Sequence, residues 1–275
     1  MSHPAETPRT QPNILIFMTD QQRAGVVMDG ALNRAKTPNL DKMRSESVEF
    51  TRLYCPSPHC CPSRTTFFTG HYPSRHGVWN NVNVGNTLSR GPYPGTPFWS
   101  RALRDAGYAL HYDGKWHVTD YDGPSDYGWD EGVVNDAPRN PRRQRADCHE
   151  WALYSPDMDR PDPENRDPGE ITRSGYPRYW HYGTHPNPFG DGTVAESGAE
   201  AIRHRAGSDQ PWCHYIGPLG PHDPYTPPRE FVDLYDLEDI KLPESFSDKM
   251  EDKPALYRRT RRVFEQLTEE EQRDA

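Results

Sequence analysis

The chain has 275 residues, enough for one large domain or two small ones. Apolar residues make up 33%, and 21 Gly with 29 Pro stay below the roughly 25–30% share that marks low-complexity chains, so the protein is loop-rich and globular, not disordered. A formal charge of −9 excludes a general nucleic-acid or anionic-membrane binder, leaves an anionic ligand only a local positive pocket, and no apolar run approaches the ~18 residues of a membrane span.

Residues 1–12 read as a disordered tail without the apolar core of a signal peptide, which makes the cytoplasm the expected compartment. Asn13–Met18 is a continuous apolar run of strand length, expected to be covered on both faces. Thr37-Pro38 supplies an N-cap and a first-turn proline, with Leu40 and Met43 on one helical face. Val48, Phe50 and Tyr54 predict a second strand. Pro62 and Gly70 bracket a short helix over Ser63–Thr69, which puts Cys60 just ahead of its N-terminus. Thr96-Pro97 opens a further helix with Phe98, Trp99, Ala102, Leu103 and Ala106 inward and Gly107 as its stop; Tyr108–Tyr112 returns as a strand. From about 136 to 192 the pattern dissolves into Pro, Arg, Asp and aromatics, an insertion read either as substrate-facing or as a solvated excursion. Val194–His204 and Trp212–Ile216 resume as helix and strand. Strands separated by helices predict an α/β fold with a mostly parallel central sheet flanked by helices.

The chemistry-bearing residues share a location. Asp20 follows the first strand, His59-Cys60-Cys61-Pro62-Ser63-Arg64 the expected second, Gly114-Lys115-Trp116-His117 the strand from Tyr108, and Pro221-His222-Asp223-Pro224-Tyr225 the strand from Trp212. In open α/β sheets ligands bind outside the carboxyl ends of strands. Cys60 beside a helix N-terminus sits where an anion, a thiolate included, is stabilised, and Arg64 adds a permanent cation able to grip oxyanions in a fork. The pattern of a cysteine followed by five residues and an arginine does not fit, because Thr66 stands where the arginine would be. Five cysteines, an odd number, form no disulfide scaffold; a zinc site from Cys55, His59, Cys60 and Cys61 is conceivable but lacks the usual repeated Cys pair.

Cys60-Cys61-Pro62-Ser63-Arg64, continued by Thr69-Gly70, resembles the signature of the type I sulfatases of the alkaline-phosphatase-like superfamily, in which the first cysteine is oxidised to formylglycine. Asn13–Gln21 resembles that family's opening strand with its metal-binding aspartate, and Thr37-Pro-Asn-Leu-Asp41, Gly114-Lys-Trp-His117 and Pro221-His-Asp-Pro-Tyr225 match later landmarks in order. The resemblance implies a sulfuric ester hydrolase with catalytic residues Cys60, Arg64, Lys115, His117 and His222 and metal ligands Asp20 and Cys60. It implies Ca²⁺, with Mg²⁺ as the alternative; a hard dication prefers oxygen to sulfur, which makes the oxidation of Cys60 sensible. It also implies a sulfated small molecule or sugar as substrate and a formylglycine-generating enzyme as maturation partner, with no nucleic acid and no membrane. Gln21 departs from the Asp-Asp pair common in the family.

The 53 residues after His222 contain no His, Asn, Cys or Gly, so the family's late Asp-His-Gly-type metal motif is absent from them. Thr268-Glu-Glu-Glu271 is a capping-box start followed by four residues. Residues 13–275 therefore read as the N-terminal portion of a sulfatase catalytic domain, with an unpaired edge unless a second chain supplies the C-terminal half. The alternatives are a phosphonate or phosphodiester hydrolase of the same superfamily and a non-catalytic remnant that binds anions.

Overall fold

A computed structural model describes residues 11–83, 87–135, 186–222, 225, 227–255, 257, 258, 261, 265 and 267–274. The chain divides into two compact units: Met1–Asp20, Leu53–Ala146 and Asp191–Leu219 form the first, and Gln21–Arg52, Asp147–Gly190 and Gly220–Ala275 the second.

The first unit is built on a four-stranded sheet of β1 (Ile14–Phe17), β2 (Ala109–Lys115), β3 (Asp130–Asn135) and β4 (Trp212–Gly217), in the order β1-β4-β2-β3 and parallel throughout. Helices α1 (Cys60–Thr69), α2 (Pro73–His76), α3 (Trp99–Asp105) and α4 (Asp191–Arg205) belong to it. Alternation along the strands sorts the side chains. Leu110, Tyr112, Cys213 and Tyr215 join Phe68 of α1, Trp116 and Trp129 in one aromatic core, and the Phe68 ring lies 5.1 Å from Trp116 and 5.4 Å from Tyr215. His111, Asp113 and His214 take the opposite parity, toward α4, where Gly198 lets the helix approach so closely that a Cβ there would stand 2.5 Å from Ile216.

The fold class is the one expected, a parallel sheet with helices on both faces, but several elements differ in detail. Asn13–Met18 is not covered on both faces: Ile14 and Ile16 pack on the core, while Leu15 and Phe17 are 52% and 57% exposed, because α4 packs over β2, β3 and β4 and stops short of β1. No strand forms at 48–54; Val48, Phe50, Leu53 and Tyr54 are all exposed, and Arg52-Leu53 breaks the alternation that a sheet partner would need. The helix expected at Thr96 begins at Trp99, since the Thr96 hydroxyl is committed to the Tyr93 carbonyl at 2.7 Å in a preceding turn, and Ala102 and Ala106 face solvent. β3 lies in a stretch with only two adjacent valines to announce it.

The second unit contains short helices at Ala24–Val27, Pro38–Ser45, Arg229–Val232 and Glu269–Asp274. Pro38–Ser45 starts at the expected proline, yet it buries none of its residues and leaves Met43 exposed. The capping box at Thr268 forms: the Thr268 N–H donates to Glu271 at 2.7 Å and the Glu271 N–H returns to the threonine hydroxyl at 3.2 Å. The expected insertion at 136–192 lies outside the described residues except for 186–192, where a 3₁₀ turn leads into α4. Among the described residues no helix is long and apolar enough to cross a membrane.

Candidate active site

Helix α1 begins at Cys60 itself, one turn earlier than expected: His59 is the extended N-cap, and Pro62 in the first turn forfeits no helical hydrogen bond. Gly70 ends it in the left-handed region (φ 68°), its N–H on the Thr66 carbonyl at 2.8 Å. Cys60 and Arg64, four residues apart, therefore lie on one face of the helix.

That face meets the carboxyl ends of β1, β2 and β4. Asp20 stands three residues past β1, and Arg64 Nη2 donates to its Oδ2 at 2.9 Å. Arg64 Nη1 donates to the Lys115 carbonyl at 2.8 Å and to the Tyr215 hydroxyl at 3.0 Å. Lys115 ends β2 and brings Nζ to 3.0 Å from the same Asp20 oxygen, while the Cys60 thiol faces Asp20 Oδ1 at 3.7 Å. Asp20, Arg64 and Lys115 are all buried. A register shift between Tyr112 and Gly114 re-aims the end of β2; Gly114 has φ 100°, and any Cβ there would lie 2.0 Å from the Gly217 carbonyl, so only glycine lets β2 and β4 close up beneath Lys115.

Among the described residues two cations, Arg64 and Lys115, face the one carboxylate of Asp20. Burial is the main influence on Cys60 and pushes its pKa up, outweighing the lowering by Lys115 and Arg64; Asp20 adds to the rise. The expectation that a thiolate is stabilised here is thereby corrected: at the part-buried Cys60 the helix N-terminus and the two cations do not offset desolvation, and the balance favours the neutral thiol.

His117 lies two residues past Lys115, buried, with its ring nitrogen Nε2 at 3.0 Å from Asn83 Oδ1. His222 belongs to the second unit, as does Gln21, whose amide donates to the Tyr225 hydroxyl at 3.2 Å. Sequence reasoning missed Tyr112, Tyr215 and Asn83. Tyr112 and Tyr215 stack at 4.4 Å, and the Tyr112 hydroxyl donates to the Lys115 carbonyl at 2.6 Å, so the pair fixes both Arg64 and the end of β2. Their equal parity in two expected strands was the available signal.

The zinc alternative finds no grouping among the described residues. Cys61 is buried with Val78 and Val82 and its N–H is held by Asn81 at 3.1 Å, whereas Cys55 is exposed and turned to Ser57 and Ser63. A set of metal-type ligands does occur at His111, Asp113 and His214. There Asp113 already accepts from Ser197, the Val133 N–H and both histidines, and among the described residues the buried His214 Nδ1 has no partner to orient the ring as a ligand. It reads as a structural network.

Comparison with known proteins matches residues 12–272 to the sequence profile of the family described as Sulfatase. The chain is 29% identical over 239 residues to a choline-sulfatase of Rhizobium meliloti, covering 85% of this chain and 43% of that one, and 27% identical over 244 residues to an ulvan-active sulfatase of Formosa agariphila, covering 88% and 42%. It thus spans less than half the length of these relatives. Among solved structures it resembles the YidJ protein of Bacteroides fragilis (21% identity, TM-score 0.57, covering 99% of this chain and 61% of that one). It also resembles a phosphonate monoester hydrolase of Agrobacterium radiobacter (21%, TM-score 0.56, covering 83% and 44%).

Proposed function

Because this chain belongs to the sulfatase family, we propose that it carries the sulfate-gripping part of a sulfuric ester hydrolase, with Cys60 converted to formylglycine as the nucleophile. The observation that supports this most directly is the buried centre in which Arg64 and Lys115 converge on Asp20 beside the side chain of residue 60.

The donor chemistry suits a hard divalent cation, Ca²⁺ or Mg²⁺. Asp20 brings a carboxylate oxygen toward residue 60, and oxidation of that residue replaces a soft sulfur by oxygen. When bound by Asp20 and residue 60, such a cation would supply Lewis-acid polarisation. The chain's own residues do the remainder. Hydration of the aldehyde gives residue 60 two hydroxyls. One attacks the ester sulfur, its proton passing to solvent, and the S–O bond to the alcohol breaks as His222 protonates the leaving oxygen. The second hydroxyl then loses its proton, the C=O bond re-forms, and the C–O bond to sulfate breaks. Arg64 keeps Asp20 and the end of β2 in register for both steps, and Lys115 and His117 meet sulfate oxygens. Loss of one such preorganised group costs about 10²–10³ in rate. The substrate is a sulfated small molecule or sugar, and a formylglycine-generating enzyme is the maturation partner.

The test is co-expression with such an enzyme, mass spectrometry across Cys60, and hydrolysis of aryl sulfate and aryl phosphonate monoesters with Ca²⁺ or Mg²⁺. An aldehyde at residue 60 and a preference for the sulfate support the proposal. A phosphonate preference of about a hundredfold would transfer the chain to the hydrolases that share its fold. Sulfate binding with turnover of neither ester would leave a non-catalytic anion binder.

A further inference from the structure

The second compact unit holds a cavity of about 580 Å³ to which the proposed sulfate chemistry gives no role. That size lies inside the ~300–1,000 Å³ usual for small-molecule sites. Tyr225, Phe231, Tyr235 and Phe246 give it aromatic walls, and Val26, Ile240 and Leu242 fill in between. The walls are fastened together. The Asn33 side chain clamps the Lys241 backbone from both sides, donating to its carbonyl at 2.8 Å and accepting from its N–H at 3.0 Å. Lys36 donates from its backbone to the Tyr235 hydroxyl and from Nζ to the Leu234 carbonyl, each at 2.6 Å. The cavity is therefore formed before anything enters it.

Its charge runs against the rest of the chain. The protein carries −9, yet among the described residues the lining contains Arg23, Lys241 and Arg273 and neither Asp nor Glu. Arg273 is paired with Glu269 at 2.6 Å; among the described residues Arg23 and Lys241 enter no ion pair. Aromatic walls take a flat ring by offset or edge contacts, and unpaired cations at the lining take an anionic head. We propose that this cavity binds a small organic anion, its ring-bearing body between Phe231 and the neighbouring tyrosines and its sulfonate, sulfate or carboxylate head at the cationic lining.

The probe is 2-naphthalenesulfonate, titrated into the full chain at fixed ionic strength and followed by calorimetry, with 2-naphthalenemethanol as its uncharged counterpart. The sulfonate is expected to bind at least about tenfold more tightly than the alcohol, with its affinity falling as salt rises. Phe231→Ala and Lys241→Glu, both at exposed positions, are each expected to weaken it about tenfold while the melting curve stays in place. Excess inorganic sulfate, replaced by chloride of equal ionic strength in the control, is expected to leave binding unchanged, which separates this cavity from the Arg64–Lys115 centre. Equal affinity for the alcohol, binding indifferent to both substitutions, or displacement by inorganic sulfate beyond the chloride control would each overturn the proposal, whatever becomes of the hydrolase reading.

Discussion

Cys60 is a protected thiol at the start of a helix, and that has a consequence in the test tube. Only the thiolate reacts with alkylating agents, and burial lifts the Cys60 pKa, so at pH 8 its labelling by iodoacetamide is expected to lag well behind that of the exposed Cys55. Site-resolved mass spectrometry over a time course checks this; equal labelling rates would show that residue 60 is open to solvent. Arg64 makes the opposite case, a charge whose partners are all buried. Arg64→Ala leaves the Tyr215 hydroxyl and the Lys115 carbonyl short of a donor and takes the guanidinium from Asp20, a loss of about 3–5 kcal/mol in urea unfolding. A cost below about 1 kcal/mol would mean the guanidinium is not the centre's scaffold. Cys60 and Arg64 were legible because both lie within one short run, four residues apart on one helix. Tyr112 and Tyr215 were not, since their role depends on two strands pairing in register and on a bulge that turns the Lys115 carbonyl toward them.

Between elements, two buried polar contacts contribute stability to the first unit that is lost in successive steps as pH falls. His76 of α2 is fully buried, its Nδ1 accepting the Val78 N–H at 3.1 Å and its Nε2 at 3.0 Å from the Thr66 hydroxyl of α1. Burial, helped by His71, lowers its pKa from 6.5 to about 4. Folding thus favours the neutral ring: its contribution is complete above pH 6.5 and is lost as pH falls toward 4. The urea midpoint is expected to drop between pH 7 and pH 5, and less so in His76→Gln; an unchanged drop in that variant would assign it elsewhere. Asp113 works lower on the scale. Burial opposes its charge, but hydrogen bonds from His111, His214, Ser197 and the Val133 N–H prevail and hold it well below the usual carboxylate range. Its contribution is present above the ordinary value of 3.8 and is lost as pH falls below it. Asp113→Asn puts an amide N–H against donors from β2, β3, β4 and α4, an expected cost of about 3 kcal/mol at pH 7 that disappears in acid. Hydropathy reads His111, Asp113 and His214 as polar interruptions of their strands, so the sequence offered the strands but not this tie; likewise it offered a strand at 48–54 from apolar residues that have no sheet partner.

Across the whole chain, charge was the most legible property, and it now has a location. A net −9 repels anions at long range, while Arg64 and Lys115 against Asp20 attract them at one buried point. The parallel α/β architecture was equally legible, because apolar strand-length runs separated by helices admit few other arrangements. How far α4 reaches across the sheet was not, for that depends on helix length and packing, and it leaves Leu15 and Phe17 open on β1. The placement of the charge leads to a measurement that needs no turnover. Anything bound by the folded chain alone stabilises it by mass action, about 2.7 kcal/mol at a hundred times its dissociation constant. Sulfate also stabilises proteins generally by exclusion from their surfaces, so the informative quantity is the difference between the native chain and Lys115→Met. Millimolar sulfate is expected to raise the melting temperature of the native chain above that in chloride of equal ionic strength, and to lose most of that excess in Lys115→Met, which removes one of the cations at Asp20. If both chains respond alike, the anion is meeting only the surface, and the charge count at Asp20 does not translate into a binding site.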